Sequence, residues 1–404
     1  MYSIQTKQPR SEKGSRFRAL FEVGLVSAKL GLTSFGGPTA HLGYFHEEYV
    51  RQRKWMDERS YADLVALCQF LPGPASSQVG IGIGILRAGL LGGMTAWLGF
   101  TLPSVIALTL FAFFLQGTDV GSSGWIHGLK IVAVAIVAHA ILGMGQKLAN
   151  DRTRATMAVA AAVVTLLWQT ALSQMLLIAV AGLVGLWLYR KAENPAASDV
   201  TVPISRRLAV SCLVLFLGLL FVLPVLRQFS SNESLHMFDS LYRAGSLVFG
   251  GGHVVLPLLE REFVPTGWIS PEDFLAGYGA AQAIPGPMFT FASYLGAMTG
   301  GLFGAIIATL AIFLPAFLLV VGTLPFWNAL RNNPRVQGAL MGINAAVVGI
   351  LLAALYDPLW TSAIRTPADF SLASVLFVLL TFWKTSPWII VLAGAAGGVL
   401  VQQI

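Results

Sequence analysis

Charged residues are scarce in this sequence. They make up 11% of the 404 residues, whereas 55% are hydrophobic, and the mean hydropathy is +0.71. A soluble domain carries about 25% charged residues, because its surface must be hydrated. The composition therefore excludes an ordinary soluble protein and predicts a protein embedded in the lipid bilayer.

Cysteines and catalytic motifs are also scarce. Two cysteines, Cys68 and Cys212, each lie in an apolar segment, which excludes a disulfide framework and a cysteine metal site. The sequence lacks a His-Glu-x-x-His motif, a Gly-x-x-x-x-Gly-Lys phosphate loop and paired aspartates at membrane depth. These absences argue against an enzyme, against ATP drive by this chain, and against a bound cofactor or metal.

Long apolar segments are what the sequence has instead, for example residues 90–115, 131–145 and 208–226. Each approaches or exceeds the roughly 17–25 residues that a membrane-spanning helix needs. Basic residues cluster at the chain start and between these segments, as in cytoplasmic loops. The pattern predicts a multi-pass protein of the bacterial inner membrane. It also explains the net charge of +7 without nucleic-acid binding.

The chain contains its own repeat. The motif Phe35-Gly36-Gly37 recurs 214 positions later as Phe249-Gly250-Gly251. The motif Pro72-Gly73-Pro74 recurs 213 positions later as Pro285-Gly286-Pro287. Such a match indicates a duplication with small loop insertions. We divide the chain into a first repeat half (1–189), a cytoplasmic linker (190–207), an extra membrane span (208–230) and a second repeat half (231–404).

The extra span has no partner in the first half. If each repeat has an even number of spans, this added crossing turns the second half upside down relative to the first. Loop charge agrees, because Arg331 and Arg335 follow segment 301–326 whereas the loop after the equivalent segment 89–115 has no basic residue. The predicted fold is an all-α polytopic membrane protein with two homologous halves in an inverted-topology repeat and broken helices at the membrane midplane. Whether the first two helices of each half span or re-enter is open.

The glycine and proline motifs mark the predicted substrate site. Broken backbone inside a bilayer is tolerated only where it is buried in protein or lines a cavity. A helix that restarts after a break presents free amides and a positive dipole end to an anion. Lys29 and Arg243, at equivalent positions with few acids expected nearby, add positive charge. The predicted substrate-binding residues are Lys29, Gly36, Gly37, Pro72, Gly73, Pro74, Ser76, Gln78, Arg243, Gly250, Gly251, Gln282, Pro285, Gly286, Pro287 and Thr290.

Other polar residues have competing interpretations. Because its charge changes near neutral pH, histidine is a natural proton carrier, and the proton-coupling candidates are His41, His253, Glu22 and Asp63. Glu48 and Glu262 match at 214 positions, and we interpret each as part of a structural ion pair. Gln282 is equally suited to tying two helices together.

At its glycine and proline motifs the sequence resembles the chromate ion transporter family in its two-domain form. The resemblance rests on Phe35-Gly36-Gly37-Pro38, Leu71-Pro72-Gly73-Pro74 and their second copies, and it covers nearly the whole chain. It implies export of chromate from the bacterial cytoplasm, driven by the proton motive force and giving chromate resistance. The alternative is a transporter or channel for sulfate or another inorganic anion. The expected partners are chromate, or sulfate, and the bilayer; a homodimer is left open.

Overall fold

The computed structural model describes residues 13–116, 124–168, 171–189, 203–249, 252–327 and 333–403. Within these ranges the chain is helical and contains no strand, which confirms the all-α prediction. Gly250, Gly251, Arg331, the loop after residue 116 and most of the linker 190–207 lie outside the described residues. The predicted division of the chain at that linker therefore stays a prediction.

The first half contains seven helices among its described residues. They are α1 (Lys13–Thr33), α2 (Gly37–Phe45), α3 (Glu58–Phe70), α4 (Ala75–Gln116), α5 (Gly124–Leu148), α6 (Arg152–Leu167) and α7 (Ala171–Leu188). A π-helical segment, His46–Gln52, extends α2. Asp57 caps α3 by accepting the Ser60 amide hydrogen, which fixes where that helix begins.

The extra span is α8 (Arg206–Gln228), and the second half then repeats the order of the first. Its helices are α9 (Glu233–Leu247), α10 (Val255–Phe263), α11 (Pro271–Ala283), α12 (Phe291–Thr323), α13 (Pro334–Ala354), α14 (Pro367–Thr381) and α15 (Pro387–Val401). Short 3₁₀ turns, Gly252–Val254 and Met288–Thr290, precede α10 and α12. Helices α3 and α11 match residue for residue, with 13 residues each.

Each half begins with two helical hairpins. In the first hairpin α2 and its extension fold back along α1, so that the Tyr49 hydroxyl lies 3.3 Å from the Ser27 Oγ. In the second, α4 folds back along α3. The two helices are in close contact, since a Cβ added at Gly82 of α4 would lie 2.7 Å from the Leu64 side chain of α3. In the first half the hairpin tips are Phe35-Gly36-Gly37 and Pro72-Gly73-Pro74. The sequence breaks therefore become chain reversals.

Helix α4 reverses again at Ala88–Gly89, where the backbone leaves helical geometry. A Cβ added at Gly84 would lie 2.3 Å from the Gly92 carbonyl oxygen. Eight residues of continuous helix span about 12 Å, so this contact requires a fold-back. Helix α12 reverses in the same way at Gly300–Gly301. The 13 residues of α3 reach only about 20 Å, which is the length of a re-entrant leg rather than of a full crossing.

The two halves interleave rather than form separate bodies. Helix α5 of the first half packs against α14 and α15 of the second, and α13 packs against α6 and α7. The contacts are equivalent: a Cβ at Gly128 would lie 2.1 Å from the Gly394 oxygen, and one at Gly342 would lie 2.1 Å from the Ala181 oxygen. Small residues allow this close approach of helix backbones in membranes.

Five helical segments of the described residues are long and apolar enough to cross a membrane. They are Ala75–Gln116, Gly124–Leu148, Arg206–Gln228, Met288–Phe326 and Pro334–Ala363. The first and fourth contain the reversals described above, which leave one membrane-length limb after each reversal. The chain is therefore a multi-pass membrane protein built from two homologous halves.

Candidate functional site

Two backbone hydrogen bonds join the halves at the hairpin tips. The Gly286 amide donates to the Ser34 carbonyl at 2.9 Å, and the Gly73 amide donates to the Val248 carbonyl at 2.7 Å. Ser34 and Val248 are equivalent positions, as are Gly73 and Gly286. The Ser34–Gly286 contact is called the first junction below, and the Val248–Gly73 contact the second junction. Each half closes the break of the other half, so the two contacts are related by a pseudo-two-fold axis.

Glycine is required at both junctions. Gly73 has a φ of 111° and Gly286 a φ of 103°, conformations that side chains with a Cβ rarely adopt. Space is also restricted, because a Cβ at Gly286 would lie 2.8 Å from the Ser104 Oγ. The flanking prolines, Pro72, Pro74, Pro285 and Pro287, cannot continue a helix, so they fix where each break begins and ends. These predicted residues thus build the tips with their backbones.

Helix α4 restarts in buried surroundings directly after the first Pro-Gly-Pro motif. Its first turn closes when the Gln78 amide donates to the Pro74 carbonyl at 2.9 Å. The amides of residues 75–77 then have no acceptor within the helix, and the positive end of the helix dipole lies there. Ser76 and Gln78, both predicted substrate residues, are buried at this point. The arrangement suits an anion.

The predicted polar residues beside the breaks differ in whether their side-chain hydrogen-bonding groups already have partners among the described residues. The Gln78 Nε2 donates to the Pro72 carbonyl at 2.8 Å, whereas its Oε1 has no hydrogen-bond partner among the described residues. The Gln282 Nε2 lies 3.5 Å from the Met288 sulfur. The Thr290 hydroxyl donates to the Pro287 carbonyl at 2.7 Å, so it stabilises the turn rather than facing a ligand.

Of the four proton-coupling candidates, His41 lies at the first junction. Its Nδ1 is 3.3 Å from the Ser76 Oγ, and its ring reaches the Ser34 main chain and packs edge-on against Phe100. His253 instead contacts the second half, where its Nδ1 lies 3.0 Å from the Tyr278 hydroxyl.

The two acidic candidates lie on α1 and α3. Glu22 is ion-paired with Arg53 at 3.0 Å and with Arg87 at 3.4 Å. Asp63 is buried on α3. The structure therefore brings one of the four candidates to the junction and holds Glu22 in an ion-pair network.

Lys29 and Arg243 require a correction of the sequence argument, which expected few acids near them. Lys29 lies 2.7 Å from Glu48, and the equivalent Arg243 lies 2.9 Å from Glu262. Arg243 also pairs with the fully buried Asp239 at 2.9 Å. Both cations are neutralised because the fold-back of each first hairpin brings the matching glutamate beside them. The structure has the two predicted ion pairs, one formed by Glu48 and the other by Glu262.

Several residues at these sites were not singled out from the sequence. Ser34 and Ser104 meet at the first junction, and Arg227 of the extra span joins the second-half ion network at 3.3 Å from Asp239. Ser34 directly precedes the Phe-Gly-Gly motif, and this adjacency was an available signal. Ser104 had none, because only the crossing of α4 with the other half brings it there.

Comparison with known proteins agrees with this architecture. The family model described as chromate transporter matches residues 21–186 and again 235–399, one match in each half. A chromate transport protein of Pseudomonas aeruginosa is 28% identical over 91% of this chain and 89% of its own length.

Two other relatives cover similar lengths. A chromate transport protein of Cupriavidus metallidurans is 27% identical over 91% of this chain and 89% of its own length. An uncharacterized transporter of Methanocaldococcus jannaschii is 26% identical over 93% and 92%. No solved structure matches the chain. With both halves matched in a chain that carries two interlocked Pro-Gly-Pro breaks, the protein belongs to the chromate transporter family.

Proposed function

We propose that this protein is a secondary transporter that exports chromate across the bacterial inner membrane. The proton motive force drives the export, and the consequence for the cell is chromate resistance. Family membership supports the transport of chromate, since two full-length relatives bear the name chromate transport protein. Export is the direction that the resemblance to the family implies, and the coupling to protons is supported by the position of His41.

The reciprocal pair of junctions is the observation that carries the proposal. Two short helical legs restart at buried breaks, and each break is closed by the tip of the opposite half through a single backbone hydrogen bond. Matching interrupted segments in two repeats mark the binding site in many secondary transporters. Two equivalent contacts can open one at a time, which is what alternating access requires.

An anion at this place is stabilised by dipoles rather than by free cations. The buried start of α4 offers amides that have no acceptor within the helix, together with the positive end of a helix dipole, a common setting for oxyanions. Lys29 and Arg243 are already neutralised by carboxylates, so they hold the hairpins together. A tetrahedral dianion such as chromate or sulfate meets hydrogen-bond donors on several sides at such a site.

Proton coupling assigns a role to His41. The side chain connects the Gly-Gly tip to the start of α4, because it contacts both the Ser34 main chain and the Ser76 hydroxyl. A charge gained on this ring changes the electrostatic potential at the anion site directly. Protonation and anion binding at one junction are therefore thermodynamically linked.

The test is uptake of chromate into everted membrane vesicles, with and without the protein. Excess sulfate and a protonophore are added separately. We expect protein-dependent uptake that survives sulfate and collapses with the protonophore. Uptake indifferent to the protonophore would indicate a passive channel or another coupling ion. Uptake abolished by sulfate would favour sulfate or a related anion, and a lack of protein-dependent uptake by inserted protein would reject chromate.

A further inference from the structure

Polar side chains of the first half line the first junction. Ser104 Oγ faces Gly286, and the Ser104 hydroxyl donates to the Thr101 carbonyl at 3.0 Å. His41 contacts Ser34 and Ser76 from the other side. Five polar residues thus surround a single glycine contact between the halves.

Every one of these polar positions is apolar in the second half. With the offsets of 214, 213 and 212 that align the motifs, five apolar residues stand where the first half has polar ones. Ser34, His41, Ser76, Thr101 and Ser104 correspond to Val248, Val255, Phe289, Phe313 and Ala316. The backbones of the two junctions match, whereas these five side chains do not. Ser77 differs from them, because its equivalent Thr290 keeps a hydroxyl, which donates to the Pro287 carbonyl at 2.7 Å. Duplication alone would leave both junctions alike, so the difference has a physical consequence for what each can bind.

Three buried hydroxyls of the first half are available to donate to a ligand. Ser34 Oγ, Ser77 Oγ and Thr101 Oγ1 are buried and have no hydrogen-bond partner among the described residues. Ser34 is 0% exposed, Ser77 is 1% and Thr101 is 2%. Leaving a buried hydroxyl without a partner costs free energy, so such atoms call for a partner such as an ion or a water molecule. Ser77 lies in the first turn of α4, and His41 links that turn to Ser34.

We infer that the substrate oxyanion binds at the first junction only, where hydroxyls of Ser34, Ser77 and Thr101 donate to its oxygens. This inference rests on the proposed function for the identity of the anion. Serine and threonine hydroxyls rotate to meet oxygens in any direction, which suits a tetrahedral dianion. At the second junction Val248 and Ala316 stand where the first junction has Ser34 and Ser104, and the Gln78 Nε2 beside Gly73 donates to the Pro72 carbonyl, so this contact seals the path on its own side. Specificity is therefore set by the first half.

The experiment compares variants that differ in the presence of a hydroxyl but have side chains of the same shape. Ser34→Val introduces the residue that the second half has at the equivalent position. Ser34→Thr introduces a side chain with the shape of valine that keeps the hydroxyl. Thr101→Val removes a hydroxyl without changing volume. We expect Ser34→Val and Thr101→Val each to raise the KM for chromate about ten-fold or more, because a hydrogen bond to a charged group is lost. Ser34→Thr is expected to stay within about two-fold of the wild type, because threonine keeps the hydroxyl that donates to the anion.

Thr109→Val is the matched control. Thr109 lies on α4 two turns beyond Thr101, is buried, and also has a hydroxyl without a partner among the described residues. Its second-half equivalent is Val321, so the substitution again copies the other half. We expect unchanged KM. An equal rise in Thr109→Val, or normal KM in both Ser34→Val and Thr101→Val, would overturn the inference.

A binding assay separates this inference from the proposed function. Thermal unfolding of the detergent-purified protein is followed with chromate, molybdate, tungstate and sulfate. If the wild type is stabilised by another oxyanion but not by chromate, the proposed substrate is wrong. The inference still holds if that stabilisation disappears in Ser34→Val and survives in Ser34→Thr. Stabilisation that is equal in Ser34→Val and the wild type rejects the inference, whichever anion binds.

Discussion

Removing the two equivalent cations, by Lys29→Gln and by Arg243→Gln, should have unequal effects on stability. Lys29 is 57% exposed, and its partner Glu48 keeps a second cation, Arg53, at 2.8 Å. Loss of an exposed ion pair costs about 1 kcal/mol or less. Lys29→Gln should therefore leave the unfolding temperature close to that of the wild type.

Arg243 occupies a different environment. Its side chain is 13% exposed and pairs with Asp239, which is 0% exposed, and with Glu262, which is 10% exposed. Two carboxylates and two arginines balance in charge there, since Arg227 completes the group. Arg243→Gln leaves an uncompensated buried carboxylate, which costs about 3–5 kcal/mol. The variant should unfold at a clearly lower temperature.

Double variants decide whether these cations act on structure or on substrate. Arg243→Gln combined with Glu262→Gln restores the charge balance with Arg227 and Asp239, and Lys29→Gln combined with Glu48→Gln leaves Arg53 paired with Glu22. We expect both doubles to insert normally and to recover chromate uptake in everted vesicles. Uptake that is lost in the singles and stays lost in the doubles would make the cations substrate ligands and refute this reasoning. Equal unfolding temperatures for the two singles would refute the burial argument.

Three further predictions follow from the junctions and the repeat. Gly73→Ala should cost about 1–3 kcal/mol of backbone strain. Gly286→Ala adds a clash with Ser104, so it should lower the unfolding temperature and the uptake further. Equal effects of the two variants on unfolding temperature and uptake would contradict this geometry. His41→Gln should flatten the dependence of uptake on pH at normal protein levels, and an unchanged profile would exclude His41 as the proton carrier. Reporter fusions should place the N-terminus in the cytoplasm and the C-terminus on the opposite side, whereas two cytoplasmic termini would reject the inverted repeat.

The positions of the chain breaks could be predicted from the sequence, because glycine and proline constrain the backbone locally. Pro72-Gly73-Pro74 ends one helix and starts another whatever surrounds it, and its second copy does the same. Which break meets which tip is a different matter. The Gly286–Ser34 contact spans most of the chain and depends on how the halves interleave, and no local pattern encodes that.

The charged residues show the same limit of prediction from sequence. Lys29 and Glu48 both recur in the second half. Their sequence patterns nevertheless indicate different roles, a substrate ligand for Lys29 and a structural ion pair for Glu48. Nineteen residues separate them, and only the hairpin at the Gly-Gly tip brings them within 2.7 Å. A matched cation and a matched acid at constant spacing in two repeats are better interpreted together, as one repeated ion pair. That interpretation removes the free cations from the site and leaves amides and hydroxyls to bind the anion.

The symmetric backbone and the asymmetric side chains serve separate requirements. Alternating access needs two closures of similar free energy, and the two junctions provide them with one backbone hydrogen bond and one glycine each. Selective binding needs a single set of donors, because two equal polar sites in series would hold two anions that repel each other. Replacing the polar set by Val248, Phe313 and Ala316 in one half removes the second site without disturbing the backbone. A duplicated fold can thus move one anion past two equivalent closures while binding it in one place.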